Sequence, residues 1–138
     1  MKPLDPDLES LLRQWIEKAD ADLEAAEQLA PSVAGSIRLR EIVGFHCQQT
    51  VEKYLKVLLT FYQVEFPKTH EIERLLALVS SANPEAADPL GCTKWLGPFA
   101  VDIRYPGDGA EMLPGDEVRA IEIARCAKAV VLRVLDEG

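Results

Sequence analysis

The sequence predicts an all-α fold, an antiparallel up-and-down four-helix bundle with one additional short helix, in a single domain over residues 1–138. Apolar residues recur at three- and four-residue steps over long stretches, as they do on one face of a helix. No apolar–polar alternation of the kind seen in strands extends beyond four residues. Most glycines and prolines fall in the segments 31–44, 84–98 and 105–115, which we interpret as connections.

The first helix is predicted at about residues 6–30. Asp5 can cap its free backbone N–H groups, and Pro6 supplies the fixed φ that suits the first helical position. Its apolar face consists of Leu8, Leu11, Leu12, Trp15, Ile16, Ala19, Leu23, Ala26 and Leu29. Pro31 and the residues up to Gly35 close the helix.

The second helix is predicted from Arg38 or Glu41 to Tyr62. A step of about 100° per residue places its apolar side chains on one broad arc. The opposite, polar arc consists of His46, Gln49, Lys53, Lys56 and Thr60. Gln48 and Glu52 lie at the border of the apolar arc, where a long polar side chain is partly buried and needs a partner.

Phe66-Pro67 separates the second helix from the third, because the residue before a proline avoids helical geometry. Thr69 or His70 is predicted to cap the third helix, which extends to about Ser80. Its apolar face consists of Ile72, Leu75, Leu76 and Val79.

Three further segments follow the third helix. A short helix is predicted at about residues 86–101, although prolines and glycines interrupt it. Residues 104–115 have the composition of a loop. The last helix is predicted at 116–135, with an apolar stripe of Val118, Ile121, Ala124, Ala127, Val130, Val131 and Leu135.

Composition excludes several classes of protein. The net charge of −8 argues against sequence-independent binding of nucleic acid through a broad basic surface. The three cysteines are odd in number and widely spaced, which predicts reduced thiols in a cytoplasmic protein rather than a disulfide framework. No signal peptide or apolar run of about 18 residues is present, so we expect neither secretion nor membrane insertion.

The common catalytic and cofactor motifs are absent from the sequence: GxGxxG, GxxxxGK[ST], HExxH, paired CxxC and GxSxG. The two histidines are 24 residues apart and are not accompanied by ligands at zinc-binding spacing. We therefore expect no metal and no cofactor.

The polar stripe on the second helix is the first candidate ligand site. His46, Gln49, Lys53 and Lys56 project from one face and can contact a phosphate or a base edge. The alternative is a solvated face or a dimer contact, because polar outer faces are the rule for surface helices.

The start of the third helix is the second candidate. Free N–H groups and the helix dipole favour an anion there, and Lys68 adds positive charge beside Thr69 and His70. The alternative is simple helix capping by Thr69 or His70.

Arg104 and Tyr105 form the third candidate, because arginine can bind a phosphate in bidentate fashion and tyrosine can stack on a base. The alternative is structural, with Arg104 paired to Glu52.

Arg40 and His46 are the candidate catalytic pair, with five residues between them. The histidine can act as general base toward a ribose hydroxyl while the arginine stabilises the transition state. Six helical positions place the two side chains about 120° apart, so a joint role requires a second subunit or a break near Gly44.

Three blocks of the sequence, FHCQQTVEKYLKVLL, KTHEIERLL and RYP, resemble the HEPN domain family in order and spacing. The resemblance implies a helical bundle, usually a homodimer, often encoded in prokaryotes beside a minimal nucleotidyltransferase. Such pairs are similar to toxin–antitoxin modules, in which the HEPN subunit is a metal-independent ribonuclease or a nucleotide-binding partner. Catalytic members carry an Arg-x4-6-His motif near the start of the last long helix, whereas this chain has no histidine from Asp116 onward.

We therefore expect a partner subunit that binds a nucleotide or nucleic acid and is not itself an enzyme. The expected ligand contacts are His46, Gln49, Lys53, Lys56, Lys68, His70, Arg104 and Tyr105. The alternatives are a ribonuclease toxin with His46 as base and Arg40 or Arg104 as electrostatic partner, and a non-catalytic protein-interaction module.

Overall fold

The computed structural model describes residues 4–100 and 111–138. The residues in these two ranges are 81% helical, and they contain no strand. Its elements are α1 (Pro6–Leu29), a 3-10 turn (Ala30–Ser32), α2 (Ile37–Phe61), α3 (Ile72–Ala82), α4 (Pro84–Ala87), a 3-10 helix (Asp88–Phe99) and α5 (Asp116–Glu137). The predicted all-α bundle is confirmed.

The ends of α1 and α2 follow local chemistry. Asp5 caps α1 as predicted, with its side chain accepting from the N–H groups of Asp7 and Leu8. The Ser36 hydroxyl accepts from the N–H of Leu39 at 3.2 Å and caps α2, which ends within one residue of the predicted boundary.

The helix α2 lies at the centre of the fold. It packs against α1, α3, the 3-10 helix and α5, and most of its residues from Val43 to Thr60 are buried. Its fully buried large side chains are Val43, Gln48, Val51, Glu52, Tyr54, Leu55, Leu58 and Leu59. The central position of α2 explains why its sequence is apolar around a broad arc rather than along a narrow stripe.

Contacts between helices define their directions. Asp20 of α1 contacts Tyr54 of α2, whereas Asp22, which is later in α1, contacts His46, which is earlier in α2. The two helices are therefore antiparallel. α2 and α5 run in the same direction, because Arg40 contacts Glu117 near their N-terminal ends. Gly138 packs against Phe61 where both helices end.

The chain from α2 to α3 folds back along α2 before α3 begins. His70 lies beside Gln48 in the middle of α2, and Asn83 at the end of α3 donates a hydrogen bond to Tyr62 at the end of α2. α3 therefore runs in the same direction as α2, and the contacts refine the predicted up-and-down order. The return path is the 3-10 helix, whose Phe99 reaches Gly44.

The segment predicted as a helix at 86–101 is one turn of α-helix followed by a long 3-10 helix. Pro89 lies in its first turn and Pro98 lies inside it. Proline removes a backbone donor and clashes with the preceding turn, so the regular α-helical hydrogen-bond ladder cannot extend through this stretch.

Two predicted core positions are exposed instead. Leu11 of α1 is 45% exposed and Val118 of α5 is 55% exposed, whereas Glu117 beside Val118 is buried. In the first turn of α5, Glu117 and not Val118 faces the bundle, because Glu117 forms an ion pair with the buried Arg40. Among the described residues no helix is both long and apolar enough to cross a membrane.

Candidate functional site: a polar seam between α1 and α2

Asp22 of α1 lies between two of the predicted ligand residues. Its Oδ1 is 2.9 Å from Nδ1 of His46, and its Oδ2 accepts from Nζ of Lys53. Burial raises the pKa of Asp22, but hydrogen bonds from His46 and Lys53 outweigh it and leave the pKa below its ordinary value. A carboxylate only accepts, so Nδ1 of His46 is the donor and Nε2 is the second ring nitrogen available to a ligand.

Glu52 of α2 lies at the centre of a second cluster. Its Oε1 is 2.9 Å from Nζ of Lys56 and 2.9 Å from Nδ1 of His70, and its Oε2 accepts from Nε2 of Gln49 at 2.9 Å. The Glu52 side chain is 2% exposed, whereas that of His70 is 71% exposed. The cluster therefore connects the interior of the bundle to its surface, with His70 as its most exposed member.

Gln48 fixes the segment that carries His70. Its Nε2 donates to the main-chain oxygen of His70 at 2.9 Å, and its Oε1 accepts from Nε2 of Gln49 at 2.7 Å. The prediction that the border residues Gln48 and Glu52 are buried and have partners is confirmed. We call the set Asp22, His46, Gln48, Gln49, Glu52, Lys53, Lys56 and His70 the polar seam.

Lys56 is not on a solvated face. Its side chain is 10% exposed, and Nζ lies 5.5 Å from the ring centre of Trp15 and 5.9 Å from that of Phe66. Thr60, also expected on the polar arc, is buried as well. The expectation of an outer polar arc is wrong at these two positions, and at Lys56 the reason is that Trp15 of α1 and Phe66 of the segment after α2 cover the side chain.

Lys68 and Thr69 lie beside the polar seam. Lys68 is exposed and has no ion pair within residues 4–100 and 111–138. The predicted cap of α3 at Thr69 or His70 is wrong, because the cap is Glu71. The Thr69 hydroxyl instead accepts from the N–H of Glu71 at 3.1 Å, which is a local turn before the helix begins.

Arg104 and Tyr105 lie outside the described residues, and so does any pairing of Arg104 with Glu52. Within the described part, Glu52 has Lys56, His70 and Gln49 as partners. The need for a partner that motivated the Arg104 hypothesis is therefore met by other groups.

Arg40 and His46 contact different helices. Nε of Arg40 donates to Oε1 of Glu117 in α5 at 2.7 Å, and both side chains are less than 10% exposed. His46 contacts Asp22 in α1. The two side chains point in different directions around α2, as the helix period predicts, so Arg40 contacts α5 and His46 contacts α1.

Sequence reasoning did not identify Asp22 and Glu117 as partners. A signal for both exists in the helical period. Asp22 is three residues after the buried Ala19 and four before the buried Ala26, and Glu117 is three residues before the buried Ala120. Carboxylates at these positions fall on the inward face of their helix and need a buried cation or donor.

No three histidine, cysteine, aspartate or glutamate residues of the described part form a group that suits a metal ion. In comparisons with known proteins, the family model described as HEPN domain matches residues 12–137. No curated protein and no solved structure gives a significant match.

Proposed function

The chain belongs to the HEPN domain family, and from this we propose that it is a nucleotide- or nucleic-acid-binding subunit that works with a nucleotidyltransferase. The module is of the toxin–antitoxin type found in prokaryotes. In this proposal residues 1–138 form one HEPN domain, which acts as a homodimer in the cytoplasm and needs no cofactor.

The observation that carries the proposal is the convergence of five predicted ligand residues on two carboxylates. His46 and Lys53 share Asp22, while Gln49, Lys56 and His70 share Glu52. Residues from two separate parts of the chain thus form one continuous polar strip. A strip with both donors and acceptors fits a ligand that offers both, as a nucleoside does.

The charges of the polar seam assign different roles to its residues. Lys53 and Lys56 already contact carboxylates, so a phosphate gains little from them. Lys68 is exposed at one end and supplies the positive charge for a phosphate there, and the exposed His70 beside it contacts the base. Gln49 and His46 are half-buried and can contact a base edge, while Lys56 holds Glu52 in place. Arg104 and Tyr105 complete the proposed site by binding phosphate and stacking on the base.

Calorimetric titration with ATP, GTP and other nucleotides tests the binding function. We expect Lys68→Ala and His70→Ala each to weaken binding by about tenfold, as for loss of one hydrogen bond to the ligand. Arg74→Ala is the matched control, since Arg74 is an exposed cation one helical turn beyond His70 and is not in the polar seam. Absence of heat at millimolar nucleotide, or an equal effect of Arg74→Ala, contradicts the proposal.

The partner function is tested separately: the genes beside this one are searched for a nucleotidyltransferase, and such a protein is co-expressed with this chain. We expect the two chains to purify together. Failure to form a complex removes the partner role while leaving nucleotide binding in place. A complex without any nucleotide or RNA binding would favour the protein-interaction module instead.

A ribonuclease is the second candidate, and one observation favours it. Asp22 orients the His46 ring through Nδ1, which leaves Nε2 as a base toward a ribose 2′-hydroxyl; the His46 side chain is 27% exposed. Arg40 is committed to Glu117, so Arg104 is the remaining candidate for the electrostatic role. RNA cleavage in the presence of a metal chelator, lost in His46→Ala, supports this candidate, and intact RNA removes it.

A further inference from the structure

An open groove follows the line where α3 packs beside the 3-10 helix. It consists of two adjoining cavities of about 380 and 400 Å³, and both are lined by Glu73 of α3 and Lys94 of the 3-10 helix. The first cavity extends to Ser80 and Asp88, and the second extends to Glu71. We call the two cavities together the α3 groove.

Small residues leave the α3 groove open. A 3-10 helix repeats every three residues, so Asp88, Gly91, Lys94 and Gly97 lie in one line along its side. A Cβ atom added at Gly91 or Gly97 would meet no atom within 4 Å. On the α3 side, the exposed Ala77 lines the first cavity. The main chain of a bound segment can therefore approach the 3-10 helix closely at both glycines.

The walls of the α3 groove are acidic. Three exposed carboxylates line it, one at each end and one between them, and they belong to Asp88, Glu71 and Glu73. Lys94 is the only cation among the lining residues. Within the described part of the chain none of these four side chains forms an ion pair. The groove therefore offers more negative than positive charge to an occupant.

Charge complementarity selects a cationic occupant for this groove. A neutral or acidic segment would cover the carboxylates without giving them a partner, which costs free energy. Lysine or arginine side chains offer each carboxylate a charge-assisted hydrogen bond. The net charge of −8 on the chain also attracts a basic partner before contact is made.

The length of the groove limits the size of the occupant. From Ile72 to Ser80, α3 advances about 12 Å, at 1.5 Å per residue. An extended chain advances about 3.3 Å per residue, so about four or five of its residues fill the groove. Alternate side chains of an extended segment point to the same side, so basic residues at every second position can all face the carboxylates.

We propose that the α3 groove binds a short extended segment of a protein partner in which every second residue is lysine or arginine. The basic side chains pair with Glu71, Glu73 and Asp88, and the main chain lies over Gly91 and Gly97. The groove shares no residue with the polar seam, so this binding does not depend on the proposed nucleotide site. It also does not require the partner to be a nucleotidyltransferase.

The test uses the full chain and a fluorescein-labelled peptide of sequence GRARARG, with binding measured by fluorescence anisotropy at low salt, where exposed charges are least screened. We expect saturable binding of this peptide. The acidic peptide GEAEAEG should not bind. The peptide GRRRAAG, which has the same composition but adjacent basic residues, should bind more weakly.

Glu73→Lys tests the charge of the groove. It should weaken binding of GRARARG about tenfold, because a repulsion replaces an attraction between the two cavities. Glu17→Lys is the matched control, since it makes the same change of charge at an exposed position of α1 outside the groove. The control should weaken binding by less than about twofold, because salt screens distant exposed charges.

Two further variants separate groove binding from folding. Gly91→Leu fills the groove without changing its charge, and Gly91 is not in the left-handed region, so the fold should be kept while binding falls about tenfold. Lys94→Gln removes the cation of the lining and should strengthen binding about threefold. A loss of folding cannot imitate stronger binding.

Several outcomes overturn the proposal. These are no binding of GRARARG at millimolar peptide, equal binding of GRRRAAG or GEAEAEG, parent-like binding in Gly91→Leu, and weaker binding in Lys94→Gln. An equal effect of Glu17→Lys and Glu73→Lys also overturns it, because the peptide would then respond to the total charge of the protein and not to the groove.

Discussion

The side chains of Arg40 and Glu117, which are 77 positions apart in the sequence, form a buried ion pair with a distance of 2.7 Å between Nε and Oε1. Glu117 also accepts from the N–H of Gly115 at 3.0 Å, so its carboxylate connects α2, α5 and the turn before α5. Burial raises the pKa of Glu117, whereas hydrogen bonds from Arg40 and from backbone N–H groups lower it. The hydrogen bonds have the larger effect, so the pKa of Glu117 is below its ordinary value.

Replacement of Glu117 by glutamine is expected to lower the free energy of unfolding by about 3 kcal/mol, because Arg40 is then buried without a counter-charge. The measurement is urea unfolding near neutral pH. Glu122→Gln, an exposed change in the same helix, should have almost no effect. Equal losses in the two variants would show that the ion pair does not stabilise the fold.

Lys56 is a second position where charge removal should destabilise the protein. Lys56→Met keeps the length of the side chain but deprives the 2% exposed Glu52 of its cation and removes the contact with Trp15. A loss of about 3 kcal/mol is expected for breaking a buried pair, together with a change in tryptophan fluorescence. The exposed Lys68→Met is the control, and a similar loss there would contradict the burial of Lys56.

The lowered pKa of Asp22 predicts part of the loss of stability of the folded protein at acid pH. Its pKa in the folded state is below the ordinary 3.8, so its contribution is complete above the unfolded pKa and is lost as the pH falls through the folded value. In Asp22→Asn the free energy of unfolding should therefore depend less on pH below about pH 4 than in the parent. Urea titrations over this range measure the difference.

Glu17→Gln is the control for this loss at acid pH, because Glu17 is exposed on the same helix as Asp22. It should leave the pH dependence unchanged. A parent-like slope in Asp22→Asn would show that His46 and Lys53 do not stabilise the charged carboxylate.

The raised pKa of Tyr54 predicts how the stability of the protein changes at alkaline pH. Its ring is fully buried and its hydroxyl donates to Asp20; burial, followed by this hydrogen bond, strongly raises the pKa of Tyr54. The protonated form is stabilised in the folded state, so stability is retained below the unfolded pKa of about 10 and decreases as the pH rises above it. Phenolate absorbance of Tyr54 should appear only when the protein unfolds.

Comparison with Tyr54→Phe isolates this signal. The parent and the variant should show the same phenolate absorbance while both are folded and should differ by one tyrosine after alkaline unfolding. The variant should also be less stable near neutral pH by about 1 kcal/mol through loss of the hydrogen bond. A difference in absorbance between the folded proteins near pH 10 would contradict the prediction.

The sequence was sufficient for the long helices and for two of the buried polar residues that need a partner. Periodicity placed both ends of α1 and α5 and the C-terminal end of α2 within about two residues, whereas of the two predicted starts of α2 only Arg38 was close to the observed Ile37. It also assigned Gln48 and Glu52 to the border of the core. It failed for the segment at 86–101, since apolar spacing does not distinguish an α-helix from a 3-10 helix when prolines intervene.

What the sequence determined by itself is the angle of each side chain around its own helix, because a fixed rotation per residue connects sequence position to direction. From these angles we could predict the all-α fold, the apolar face of each helix and the different directions of Arg40 and His46. Which of those directions are covered depends on the other helices. Only the tertiary structure buried Lys56 beneath Trp15 and Phe66 and paired Arg40 with Glu117. Such contacts join positions far apart in the chain, and no local period encodes them.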